Sequence, residues 1–94
     1  MNSKSVYKIP NGKLLKISLT YNEKKNTIDC ISIMGDFFAY PEEAIESLEN
    51  ELTNIELEKN ILFNKINSVI KEKNYEFIGL DAEGLTHGIL MCLK

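Results

Sequence analysis

Apolar and polar positions alternate most cleanly over residues 15–21, where Leu15, Ile17, Leu19 and Tyr21 are separated by Lys16, Ser18 and Thr20. A period of two marks a strand with one buried and one solvated face. Residues 6–9, ended by Pro10, predict a short edge strand ahead of it. Pro10-Asn11-Gly12 predicts the turn between them, since proline presets the bend and glycine accepts positive φ. After a polar connection over residues 22–26, residues 27–34 (TIDCISIM) are rich in β-branched side chains and predict the partner strand. Its alternation slips, because Ile31 and Ile33 share one face and Ile28 falls on the other. A β-bulge near Asp29 and Cys30 restores a single buried face.

Beyond Gly35 the period changes. Pro41 suits the first turn of a helix, Glu42 and Glu43 suit the positive end of its dipole, and Ala44, Ile45, Leu48 and Leu52 fall on one helical face. A break near Thr53 and Asn54 precedes a second helix, with Leu62, Ile66, Val69 and Ile70 in helical register through Lys73. Residues 75–80 form a short apolar connector. Asp81 is a good N-cap, and Asp81-x-x-Gly84 opens a third helix with Leu85, Ile89, Leu90 and Leu93 inward. Gly84 and Gly88 weaken that helix, so packing must hold it. Strands first and helices after predict an α+β fold: a small antiparallel sheet of two to three strands, covered on one face by about three helices.

Ninety-four residues, 44% apolar and 27% charged, make one globular domain over residues 1–94. No apolar run approaches the ~20 residues of a membrane span, and residues 1–13 lack the apolar core of an export signal. A cytoplasmic location is expected. The net charge of −3 is unevenly spread. Residues 1–25 carry six lysines and one glutamate, and residues 26–58 carry nine acids and no base. The absence of arginine argues against specific nucleic-acid readout, which leans on the bidentate guanidinium. The basic N-terminal stretch reads as a solvated strand surface, or as one that attracts a phosphate or an acidic partner.

The residues offer little catalytic chemistry. Cys30, Cys92 and His87 do not make the paired spacing of a zinc site. A Cys–His nucleophile pair is poorly served by the five-residue offset of His87 and Cys92 on a helix. The simpler reading is two small buried cysteines and a surface histidine. The carboxylates of residues 42–58 have the spacing of a solvated helix face. Gly12 and Lys13 lack the strand–loop–helix context of a phosphate loop. Lys13 reads either as an ordinary hairpin lysine or as a single cation facing a phosphate. The segment Gly35-Asp36-Phe37-Phe38 is the most unusual. Gly35 permits a sharp strand exit and Asp36 suits the exposed amides of a turn. Adjacent Phe37 and Phe38 point in different directions, so one enters the core and the other reaches out; alternatively both enter it through an irregular turn.

The string KIPNGKLLKISL, a short turn, and a strand running into GDFFAYPEEAIESLE resemble the accessory domain of lipoate-protein ligases. The likeness is strongest over residues 7–52, and FIGLDAEGL is similar to the family's end. In some of these ligases the domain is the C-terminal part of one chain. In others, archaeal ones among them, it is a separate small subunit, the form that fits this length. The resemblance implies a heterodimer with a catalytic large subunit that makes lipoyl-AMP from lipoate and ATP and then modifies a carrier-domain lysine. It implies that lipoate, ATP and Mg belong to the partner's active site, with none bound by this chain alone and no catalytic residue here. The family pattern falls on Gly12, Lys13, Gly35, Asp36, Phe37, Phe38 and Pro41, which are expected at the partner interface or an active-site lid, with Lys13 beside residues 36–38. No membrane or nucleic-acid partner is implied. The hairpin-then-helices order is also similar to the iron–sulfur scaffold proteins, but the turn positions of their cysteines hold Pro10–Lys13 and Gly35–Phe38 here. The rival expectation is a relative of those proteins that binds no cluster and serves as an interaction module.

Overall fold

The alternating segment becomes the central strand of a sheet because its odd residues are all apolar and its even ones polar. The structure, a computed structural model, describes residues 1–10 and 12–93. β1 (Asn2–Lys8), β2 (Leu14–Asn22) and β3 (Thr27–Gly35) form an antiparallel sheet in the order β1-β2-β3. β1 thus starts well before residue 6. A hydrogen bond from the Gly12 N–H to the Ile9 carbonyl (2.8 Å) closes the turn expected at Pro10 and Gly12; Asn11 lies outside the described residues. The expected bulge is present. Thr20 pairs with Cys30 and Tyr21 with Ile28, so Asp29 is the extra residue and Ile28 returns to the buried face with Ile31 and Ile33.

Phe38–Tyr40 forms β4, and Glu76–Ile78, within the expected connector, forms β5; the two pair as a second antiparallel ribbon. The helices are α1 (Ala44–Glu51), α2 (Lys59–Glu72) and α3 (Ala82–Met91). Pro41 is not in the first turn of α1. Residues 41–43 make a turn of their own, with the Ala44 N–H on the Pro41 carbonyl (3.0 Å), and the helix follows. Asn54, at φ +71°, makes the expected break. Glu58 caps α2 through the Ile61 N–H, and Asp81 caps α3 through the Gly84 N–H at 2.6 Å.

Helix α3 lies against β1 and β2, α1 lies against β3, and α2 packs on α3 and α1. Leu15, Ile17, Leu19, Ile28, Ile31 and Ile33 from the sheet meet Leu48 and Leu52 of the α1 region, Leu62, Ile66 and Val69 of α2, and Leu85 and Ile89 of α3 in one core. Leu90 and Leu93, expected inward, are only half-buried at its margin. Glu51 bridges α1 to α2 through Lys65 (3.2 Å) and Lys73 (3.4 Å), and hydrogen bonds from those ammonium groups hold its carboxyl below the usual range.

Gly88 explains how a glycine-containing helix is kept on the sheet. A Cβ there would stand 2.8 Å from Leu15 Cδ2, and Leu15 is fully buried. The Ser5 hydroxyl donates to the Gly88 carbonyl at 2.7 Å, fastening helix to strand at the same point. Gly88→Ala gains at most ~1 kcal/mol of helix propensity and overpacks a contact whose cost is ~1–3 kcal/mol. We expect a net fall in melting temperature of several degrees, measured by calorimetry. A variant melting at or above the parent would show that α3 has room to shift.

Candidate functional site

All but one of the residues of the family pattern converge where the β1–β2 turn meets the exit of β3. Leu15 pairs with Gly35, and the Asp36 N–H donates to the Leu14 carbonyl at 3.1 Å, one residue from Lys13. A Cβ on Gly35 would run into that same Leu14 carbonyl oxygen, so the sharp exit requires glycine. Lys13 and residues 36–38 are therefore neighbours across the hairpin, as antiparallel pairing dictates. Lys13 and Asp36 form no ion pair among the described residues. Instead the Lys13 N–H donates to the Gly79 carbonyl (3.1 Å), and its aliphatic stem lies over Gly79. Gly12 sits in the adjoining turn. Pro41 stands apart, at the far end of β4 where the chain enters α1.

Phe37 and Phe38 divide as adjacent residues on an extended chain should. Phe37 is half-buried against the core, whereas Phe38 is 74% exposed. Phe38 pairs with Ile78, Ala39 with Phe77 and Tyr40 with Glu76. Directly opposed residues share a face. One face of the ribbon turns inward with Ala39 and Phe77, and Phe77 meets Tyr75 edge-on with ring centres 6.4 Å apart. The other face presents Phe38, Tyr40 (73% exposed) and Ile78 (68% exposed) to solvent. Three large apolar side chains in one exposed row, beside the Lys13 cation, make a docking surface in physical terms. The sequence reading missed Tyr40 and Ile78. The apolar connector at residues 75–80 was the available signal, but Tyr75, Phe77 and Ile78 do not alternate with polar residues over enough length to declare a strand.

Of the two cysteines, one is where it was expected and the other is not. Cys92 is buried, with its Sγ 3.8 Å from the Gly88 carbonyl oxygen. Cys30 is exposed, because it alternates with the buried Ile31 and Ile33 and so shares the outer sheet face with Ser32. His87 is on the surface, its ring centre 4.4 Å from that of Tyr7. A groove of about 330 Å³ lies beside that pair, between the end of β1 and the starts of α2 and α3. Among the described residues, no three His, Cys, Asp or Glu side chains gather as metal ligands, and no helix is long and apolar enough to cross a membrane.

The fold and this site define a small α+β module whose distinctive feature is an apolar ribbon beside a basic turn, a surface suited to work against another protein. The family model of the bacterial lipoate protein ligase C-terminus matches residues 8–88, and the chain belongs to that family. No curated protein sequence gives a significant match. Among solved structures, the chain is similar to one from an archaeal lipoylation system, a bi-partite lipoate protein ligase and its E2 lipoyl domain from Thermoplasma acidophilum. The TM-score is 0.65 at 25% identity, over 95% of this chain and 92% of the other.

Burial pushes the Cys92 thiol above its ordinary range, with a hydrogen bond from Ser5 opposing the shift, and it also bars reagents. Iodoacetamide should therefore alkylate one thiol per folded chain, at Cys30, and the second only after denaturation. Equal labelling rates at both, read by mass spectrometry, would contradict this packing.

Proposed function

We propose that this chain is the accessory, small subunit of a two-component lipoate-protein ligase. It forms a heterodimer with a catalytic large subunit and supports ATP-dependent activation of lipoate to lipoyl-AMP, before transfer to a carrier-domain lysine. Lipoate, ATP and Mg are held at the large subunit's active site. Family membership and the end-to-end likeness to a chain of a bi-partite ligase support this reading. The observation that carries it is the outward row Phe38, Ile78 and Tyr40 beside Lys13. Burying Phe38 and Ile78 against a partner would contribute ~1.5–3 kcal/mol each, and Lys13 would fix orientation more than affinity. In this reading the chain's own residues bind, orient and exclude water, and the bond-making groups come from the partner.

Two measurements test it. Lipoyl-AMP formation is assayed with the large subunit alone, with this chain alone, and with both. We expect activity to rise on mixing and to depend less on this chain when preformed lipoyl-AMP is supplied. Equal dependence in both half-reactions counts against a role in activation. The surface is tested by truncation. Phe38→Ala should melt like the parent, since an exposed substitution changes stability by less than ~0.5 kcal/mol, and should lose about 30-fold in affinity for the large subunit, or ~2 kcal/mol. Phe37→Ala should lose stability first, by ~1–3 kcal/mol, less than a fully buried phenylalanine. Parent-like binding by Phe38→Ala would remove the ribbon from the interface.

A further inference from the structure

The two edges of the three-stranded sheet are treated differently. At β3, the Ile33 N–H donates to the Glu49 carboxylate at 2.7 Å, the Ile28 N–H to the Ile55 carbonyl at 3.0 Å, and the Asn54 N–H to the Ile28 carbonyl at 2.7 Å. That edge is covered. At β1, Met1 and Tyr21 exchange both of their backbone bonds, and the Ile9 N–H donates to the Lys13 carbonyl. Odd-numbered residues of β1 therefore point their amides at β2, and antiparallel alternation turns those of Asn2, Lys4, Val6 and Lys8 outward. Among the described residues, none bonds those outward groups. The side chains of the same four residues are exposed, Val6 by 58%.

We propose that the outer edge of β1 takes up an extended segment of the catalytic large subunit by strand addition, and that this segment carries Asp or Glu at alternate positions. The proposal rests on the functional reading above for the identity of the partner. Charge argues for the chemistry of the occupant. Lys4 and Lys8 flank Val6 on the outer face, and Val6 is paired with Lys16 of β2. The Lys8 ammonium rests on the Gly12 carbonyl at 2.7 Å and stays exposed. Cross-strand opposite charges stabilise and like charges destabilise. Pairing with a second copy would set Lys4 and Lys8 opposite or diagonal to lysines in every register of good overlap, so the edge resists itself while favouring an acidic strand. The edge is also continuous with the ribbon. Ile9 bonds Lys13, and Lys13 bonds Gly79 at the end of β5, so one partner can lie on both.

Val6→Pro isolates the edge. The Val6 N–H has no partner among the described residues, so proline removes only an outward donor, and prolines are tolerated at such edge positions. We expect a melting temperature near the parent's, and a tenfold or greater loss of affinity for the large subunit. Lys4→Glu should weaken binding in the same sense, most at low salt. Amide exchange by NMR adds a readout that needs no variant. In the free chain Lys4, Val6 and Lys8 should exchange fast and Ser5 and Tyr7 slowly; in the complex all five should be slow. A parent that binds while Val6→Pro binds equally, with Lys4 and Val6 still exchanging fast in the complex, overturns the strand-addition proposal alone. A parent chain that does not bind the large subunit overturns this proposal and the functional reading together.

Discussion

Close contact between α3 and the first two strands sets the rest of the molecule. Gly88 brings the helix backbone onto Leu15, and the Ser5 hydroxyl locks its carbonyl at 2.7 Å. A larger residue at position 88 would lift the helix and open the core where Leu85 and Ile89 enter it. Because Asp81 caps this helix directly after Gly79 and Leu80, fixing α3 also fixes β5. Because β5 pairs with β4, the placement of Phe38 and Tyr40 follows. The docking row is thus held by the core rather than by a free loop, which keeps its side chains in one plane before any partner arrives and lowers the ordering cost of association.

Three of the nine acids in residues 26–58 have structural roles. Glu49 satisfies an edge amide of β3, Glu51 joins α1 to α2, and Glu58 caps α2. These roles use carboxylates where the chain has N–H groups or ammonium groups to satisfy. The lysines of β1 and β2 have fewer such obligations. Lys4 and Lys16 lie on the exposed sheet face, Lys16 in one cross-strand row with Val6 and Met34 and Lys4 in the row of Ser18 and Ser32. The open sheet face thus offers cations that no structural contact among the described residues uses, whereas Lys65 and Lys73 on the helical side are engaged by Glu51.

Features governed by neighbours in sequence were legible from it: the period of β2, the bulge at Asp29, the break at Asn54 and the Asp81 cap. The proximity of Lys13 to residues 36–38 was legible too, because hairpin pairing converts a 23-residue separation into adjacency. What escaped depends on contacts between distant segments. Residues 38–40 and 76–78 are each three residues long, too short for periodicity to declare a strand, and each exists as one only through the other. Cys30 looked like a core residue because its neighbours are apolar, but alternation with the buried Ile31 and Ile33 places it on the outer face. Pro41 looked like a first-turn proline, yet residues 41–43 are occupied in redirecting the chain from β4 to α1.

The ribbon differs from the main sheet in a way that bears on function. In the three-stranded sheet, one face is apolar and buried and the other carries lysine, serine and threonine, which is all that an isolated domain needs. In the ribbon the outer face is mostly apolar too, with Glu76 the polar residue paired to Tyr40. Ala39 and Phe77 supply the inward packing, so Phe38, Tyr40 and Ile78 are not required to complete the core. Their exposure contributes nothing to folding and raises the risk of self-association. Such a row is physically economical only when a second surface covers it, and its place at the rim of the core, with Ala39 and Phe77 packed beneath, holds it ready to be covered.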